Sequence, residues 1–199
     1  MISRLSDSIA AWLAKEGVVA DSDRNLFRYA AYSLLFGLLP IVMVVVLGLV
    51  LDMLTEGLLL IAPFMLIRKF SGGYHLKSSG ICILLSASVL ALAFAAVWFV
   101  TLNGHVAVLT AAVATAALSL SLLNPIDSDA RKLSEKETVM FRTVARILTA
   151  VMVGIYLVLL LSKLDHIAVP VGVGIVLAAA LQLPCLLQKA RSRGVKAEK

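Results

Sequence analysis

The chain has 199 residues, of which 61% are hydrophobic, a formal net charge of +6 and a mean hydropathy of +0.99. This composition excludes an ordinary soluble domain, because soluble domains are roughly 45–50% apolar. Several apolar runs approach the ~20 residues that cross a bilayer as a helix. They are continuous rather than alternating, and lipid offers unpaired backbone groups no partner. We therefore predict an all-α integral membrane protein with six transmembrane helices.

Residues 1–28 are predicted to form a cytoplasmic amphipathic segment. Apolar side chains recur at helical spacing on one face of its first half, namely Ile2, Leu5, Ile9, Trp12 and Leu13. This pattern is typical of a helix that lies on the inner membrane surface, and it also fits a docking helix for a partner protein. Charged residues interrupt the apolar ones before Tyr29, so we predict no cleavable signal peptide.

The predicted transmembrane domain covers residues 29–187. Its six apolar runs are 29–51, 57–67, 81–102, 106–123, 147–161 and 167–187. The second run is the weakest, because Arg68 follows only eleven uncharged residues, and we expect that side chain to reach toward the headgroups. Residues 188–199 form a basic cytoplasmic tail.

Positive charge alternates between the two sides of these spans. Of the 18 Lys and Arg residues, only Lys163 lies outside the segments 1–28, 68–77, 124–146 and 188–199. The positive-inside rule therefore places both termini in the cytoplasm. Anionic lipid headgroups account for the charge, so membrane lipids are predicted partners and nucleic acid is not.

The segment after the fourth span carries clear boundary signals. Asn124-Pro125 is expected to end that span, since the residue before a proline is restricted to extended conformations. Ser134 with Glu137 three residues later matches a capping box, which predicts a helix that begins there and runs into the fifth span.

The segment RKFSGGYHLKSSGIC, residues 68–82, joins the second and third spans on the predicted cytoplasmic side. On an unbroken helix, His75 and Cys82 would share a face but lie ~10 Å apart along the axis. Gly72-Gly73 favours a turn, and Ser79 is a suitable N-cap that would place Cys82 in a first helical turn, where the dipole favours the thiolate. A Cys–His dyad is therefore compatible with a bent chain, and a cysteine that only packs is the alternative.

Neither a disulfide nor a metal site is predicted. Both cysteines, Cys82 and Cys185, lie near the reducing cytoplasmic face. A zinc site needs three or four ligands close together, and that face offers no such set. We accordingly predict no cofactor.

These features resemble the accessory gene regulator B family of membrane-embedded cysteine peptidases, which process quorum-sensing propeptides. The motif that carries the resemblance comprises Arg68-Lys69, Gly73-x-His75, Ser78-Ser79 and Cys82. The six spans, the amphipathic amino terminus and a basic pair after the fourth span, Arg131-Lys132, extend it over nearly the whole chain. Acidic residues surround this pair, which leaves the charge preference for the substrate open.

The resemblance implies a protein of the bacterial plasma membrane whose active site at the cytoplasmic face acts on an autoinducer propeptide. Cys82 would attack a peptide carbonyl, release the carboxyl-terminal tail and keep the rest as a thioester. A thiol or hydroxyl of the substrate would then attack this thioester and release a thiolactone or a lactone. His75 would activate Cys82 and protonate the leaving amine.

Supporting roles are also implied by the resemblance. Gly73 would allow the backbone to turn, and a Ser78 or Ser79 hydroxyl could stabilise the oxyanion, as could backbone amides of residues 80–82. The basic residues, Arg68, Arg131 and Lys132, would bind either an acidic part of the propeptide or lipid phosphates.

Two other functions fit the same chain. In a small-peptide transporter the glycine-rich segment would be a gate, although charges confined to loops argue against ion coupling. In a non-catalytic membrane scaffold the basic face would recruit partners. A homodimer is compatible with the small residues of the fourth span, which allow close helix approach. These are Ala111, Ala112, Ala114, Ala116 and Ala117.

Overall fold

The computed structural model describes residues 2–71, 79–123 and 135–182. These residues form seven α-helices and a short 3-10 helix, Asp21–Asp23, and contain no strand. The α-helices are α1 (Ile2–Lys15), α2 (Arg24–Val50), α3 (Leu54–Ser71), α4 (Ser79–Asn103), α5 (Val106–Leu123), α6 (Glu135–Leu161) and α7 (Asp165–Ala180). The predicted all-helical class is confirmed for this part of the chain.

Four of these helices are long and apolar enough to cross a membrane: α2, α4, α5 and α6. Between 11% and 22% of the residues in their apolar windows are buried, so most of the apolar side chains face outward, as in lipid. At 1.5 Å per residue, α3 and α7 are about 27 Å and 24 Å long, slightly less than the ~30 Å hydrocarbon core. Residues 183–187 of the sixth predicted span lie outside the described residues.

Several predicted boundaries agree with the structure. The fourth predicted span is α5 itself, which ends at Leu123, directly before Asn124-Pro125. The helix predicted to start near Ser134 is α6, which begins at Glu135 and continues without interruption to Leu161. The weak second run belongs to α3, which extends beyond it at both ends, from Leu54 to Ser71.

The chain divides into two compact units, Met1–Met43 and Val44–Lys199. In the first unit, an exposed ion pair joins the Arg28 Nε and Asp7 Oδ1 atoms at 3.3 Å. Leu5 and Trp12, from the predicted apolar face of α1, are more than half exposed, whereas Ser6 and Ala10 are buried. This apolar face is therefore accessible to a membrane surface or a partner.

The second unit is built around α7. Helices α3, α4, α5 and α6 all pack against it. Its first ten described positions after His166 are nearly all buried, and the buried set is Ala168, Val169, Pro170, Val171, Gly172, Val173, Gly174, Ile175, Leu177 and Ala178. A helix buried on all sides in this way must be matched closely by its neighbours, because voids are costly.

Two glycines of α7 permit that match. A Cβ atom on Gly174 would overlap the backbone carbonyl oxygen of Leu60 on α3, and one on Gly172 would lie 2.7 Å from the Cε2 atom of Tyr156 on α6. Small residues of this kind let helices approach closely in a membrane, where packing rather than water exclusion drives association. The α3–α7 contact is thus a contact between backbones.

A buried polar contact joins α5 and α6. The Tyr156 side chain is fully buried, and its hydroxyl lies 2.9 Å from the Thr110 Oγ1 atom. Because the Thr110 hydroxyl donates its proton to the Val106 carbonyl, the Tyr156 hydroxyl is the donor of this pair. Each polar atom here has a partner, as burial requires.

We predict that Gly174→Val destabilises the protein by about 1–3 kcal/mol, because the new side chain meets the rigid α3 backbone. Gly154→Val on α6 is the matched control, since a Cβ atom at Gly154 meets nothing within 4 Å. The measurement is the midpoint of thermal unfolding in detergent, followed by size-exclusion chromatography after heating. Equal midpoints for the two variants would contradict the α3–α7 contact.

Candidate functional site

The carboxyl end of α3 carries the basic pair that begins the motif. Arg68 is half-buried, and its Cζ atom lies 5.7 Å from the centroid of the Phe64 ring. The Lys69 Nζ atom lies 5.8 Å from the centroid of the Phe70 ring. Both distances are within cation–π range, and positive charge at this end of a helix also opposes the helix dipole. The pair therefore lies along the last turns of α3.

Helices α3 and α4 fold back on each other. A Cβ atom on Gly57 of α3 would lie 2.6 Å from the Cζ atom of Phe94 on α4. In one unbroken helix these two residues, 37 positions apart, would be separated by about 55 Å. The candidate nucleophile thus belongs to a second helix that returns along the first.

Cys82 lies in the first turn of α4 as the structure describes it. The helix is assigned from Ser79, which is the position where the sequence predicted its start. The side chains around this point are apolar and outward-facing: Ile81 is 60% exposed, Leu84 is 70% exposed and Leu85 is 50% exposed. The backbone at Cys82 therefore occupies a helix end with an uncovered apolar surface.

The other residues of the predicted site are not brought together in the described part of the chain. Gly73, His75 and Ser78, together with Arg131 and Lys132, lie outside the described residues, as do the side chains of Ser79 and Cys82. The contact between His75 and Cys82 stays a prediction.

Two contacts join the helices that border these segments, and the sequence did not indicate either. The rings of Phe70 on α3 and Phe141 on α6 have centroids 6.0 Å apart and are tilted by 42°. The Arg146 Nε atom on α6 donates to the Ser121 carbonyl in the last turn of α5 at 2.9 Å. The only sequence signal is position, since aromatic and basic residues stand at helix ends next to polar segments.

An apolar groove of about 330 Å³ lies between α4, α5 and α7. His105 borders it at the amino end of α5, and its ring centroid lies 5.5 Å from that of Phe99. Phe99 is 17 residues beyond Cys82 on α4, about 25 Å along the helix. The groove is therefore separate from the candidate site. Among residues 2–71, 79–123 and 135–182, no group of His, Cys, Asp and Glu side chains could hold a metal ion.

Comparison with known proteins gives a family match over most of the chain. The family model described as Accessory gene regulator B matches residues 6–184, which include the whole motif. AgrB-like protein 2 of Clostridium perfringens (strain 13 / Type A) is 34% identical over 85 residues, 43% of this chain and 40% of the relative. An AgrB-like protein of strain SM101 / Type A is 32% identical over 85 residues, with the same coverage. These matches span less than half the length of either relative, and no solved structure matches the chain.

The position of Cys82 in a first helical turn predicts a thiol pKa below the ordinary value near 8.5, because the positive end of the helix dipole stabilises the thiolate. In a Cys185→Ser background, the rate of alkylation by iodoacetamide should reach half its plateau below that pH. If His75 contributes as a cation, His75→Ala should move the midpoint upward. A midpoint at or above that of a free thiol would contradict an activated Cys82.

Proposed function

The chain belongs to the accessory gene regulator B family, and on this basis we propose that it is a membrane-integrated cysteine endopeptidase and cyclase that processes a small autoinducer propeptide. Family membership supports a role in autoinducer processing. The observation that carries the proposal for this chain is the location of Cys82 in the first turn of α4, directly after the segment that contains His75.

The proposed reaction has two steps. The Cys82 thiolate attacks a peptide carbonyl carbon of the propeptide, the C–N bond breaks, and the tail leaves as an amine protonated by His75. The remaining acyl group is a thioester on Cys82. A thiol or hydroxyl within the acyl segment then attacks that carbonyl, the Cys82 sulfur leaves, and a thiolactone or lactone is released.

Covalent catalysis is physically sensible for this product. Direct conversion of an amide into a thioester is unfavourable, whereas exchange between two thioesters conserves the bond type and is nearly balanced. Splitting the reaction lets tail release and ring closure proceed separately. The acyl-enzyme must then survive long enough for the internal nucleophile to arrive before water does.

The apolar surroundings of Cys82 support this requirement. Ile81, Leu84 and Leu85 are exposed on the first turns of α4, so lipid tails or the substrate can cover this end of the helix. Low water content slows hydrolysis of the thioester without hindering an intramolecular attack. The same dryness strengthens hydrogen bonds to the oxyanion, for which the backbone amides of residues 80–82 and the Ser78 and Ser79 hydroxyls are candidates.

The remaining motif residues take positioning and binding roles in the proposal. Gly73 allows the turn before His75. Arg68, Arg131 and Lys132 bind an acidic part of the propeptide or lipid phosphates. The orientation of Arg68 along α3, over the Phe64 ring, limits its reach and favours a ligand close to the carboxyl end of that helix.

We further propose six spans with both termini in the cytoplasm of a bacterial plasma-membrane protein and α1 on the inner membrane surface. The exposed Leu5 and Trp12 of α1 support an interfacial position. A homodimer remains compatible with α5, because Ala111 and Ala114 are exposed there, whereas Ala116 is buried.

Co-expression with a propeptide tests the catalytic assignment. We expect Cys82→Ala to abolish tail removal and His75→Ala to slow it by about 10²- to 10⁴-fold, the usual contribution of a general acid–base. Wild-type protein mixed with a propeptide that lacks the internal thiol or hydroxyl should accumulate a hydroxylamine-sensitive adduct, which mass spectrometry detects. Cys185→Ala is the matched control and should process normally. Tail removal by Cys82→Ala would refute the proposal.

The topology is tested by single cysteines in a chain in which Cys82 and Cys185 are replaced by serine. A membrane-impermeant maleimide added to intact cells should label Thr55→Cys, Asn103→Cys and Ser162→Cys, which occupy exposed positions on the proposed outer side. Ser8→Cys, also exposed, should react only after the cells are permeabilised. Labelling of Ser8→Cys in intact cells would contradict the orientation.

A further inference from the structure

The first three turns of α6 extend beyond the end of α5. Arg146, which contacts the last turn of α5, stands eleven residues after the first residue of α6, Glu135. At 1.5 Å per residue, about 16 Å of α6 therefore precedes the level of that contact. This portion, residues 135–146, is called the α6 extension below.

The α6 extension holds the end of α5 through a charged hydrogen bond. The Ser121 carbonyl is one of the last four in α5, which have no partner within the helix. The Arg146 Nε atom donates to it at 2.9 Å and places a cation at the negative end of the helix dipole. This contact fixes the point from which residues 124–134, with Arg131 and Lys132, leave the bundle.

The α6 extension also holds the end of α3. Phe141 and Phe70 are both half-buried, and their ring separation of 6.0 Å is typical of an aromatic pair. Phe70 is followed only by Ser71 before α3 ends. This second contact fixes the point from which residues 72–78, with His75, leave the bundle.

From these two independent contacts we propose that the α6 extension is a brace for the reaction, and that Phe141 and Arg146 are positioning residues. Phe141 acts through Phe70 on the segment that bears His75. Arg146 acts through Ser121 on the segment that bears the basic pair. The inference rests on the proposed function, and it assigns roles to residues outside the motif.

The reaction makes different demands on the two contacts. Proton transfer between His75 and Cys82 depends on small displacements, since misplacement by about 1 Å can cost about 100-fold in rate. Binding of a flexible propeptide by basic side chains tolerates larger displacements but loses affinity. Loss of the Phe141 contact should therefore lower kcat, and loss of the Arg146 contact should raise KM.

A double-mutant cycle tests the aromatic contact. Tail removal is measured with full-length protein in lipid nanodiscs for Phe70→Ala, Phe141→Ala and the double variant. We expect each single change to lower kcat about tenfold with KM within twofold, and the double variant to be no slower than either, because the partners share one contact. Phe141→Tyr should restore kcat. A kcat unchanged in Phe141→Ala, or a 100-fold loss in the double variant, would overturn this role.

A pair of charge-matched variants tests the hydrogen bond. Arg146→Gln should raise KM about fivefold and leave kcat within twofold, and Arg146→Lys, which keeps a charged donor, should recover most of the loss. Arg142→Gln removes the same charge one turn earlier on α6. An equal rise in KM for Arg142→Gln would mean that surface charge alone sets KM, which would overturn the proposed role of Arg146.

Two controls separate this proposal from others. Tyr156→Phe weakens the α5–α6 contact at Thr110 without touching the α6 extension, so kcat and KM should stay near wild type even if its unfolding midpoint falls. Processing by Cys82→Ala would refute the proposed function itself. Loss of processing in Cys82→Ala, with wild-type kinetics in both Phe141→Ala and Arg146→Gln, would refute only the brace.

Discussion

The close contact between α7 and α3 is the constraint on which the second unit depends. Lipid tails are as apolar as leucine, so two helices gain little by leaving them and associate through fit. Gly174 brings the α7 backbone against the Leu60 carbonyl of α3, and Gly172 makes room for the ring of Tyr156. Once these two short helices are joined, α4, α5 and α6 can cover α7 and expose their own apolar faces to lipid.

This arrangement separates what holds the fold from what would perform chemistry. The buried glycines and the Thr110–Tyr156 hydrogen bond lie within the bundle, whereas Arg68, Phe70 and Cys82 lie at helix ends. Substitutions at these ends can therefore change reactivity without dissolving the core. The α6 extension is the exception, because it belongs to a core helix and also contacts the helix ends that border both polar segments.

Sequence reasoning recovered the helices better than their relations. The α5 boundaries followed from an apolar run closed by Asn124-Pro125, which is local information. The central position of α7 did not follow, because hydropathy cannot distinguish a helix surrounded by helices from one surrounded by lipid. The contact between Phe70 and Phe141 also could not be predicted, since helical periodicity does not give the register between distant helices. For the candidate site, sequence located the α4 start at Ser79, and the approach of His75 to Cys82 stays a prediction.

The uncovered apolar turns around Cys82 bear on how a substrate would arrive. With Ile81, Leu84 and Leu85 exposed, the first turns of α4 are open sideways, toward the plane of the bilayer. A propeptide adsorbed on the membrane could then meet the thiol by lateral diffusion, a search in two dimensions rather than three. Encounter would depend on the density of peptide per unit area of membrane, so lipid composition and surface charge would tune the reaction as directly as any residue of the chain.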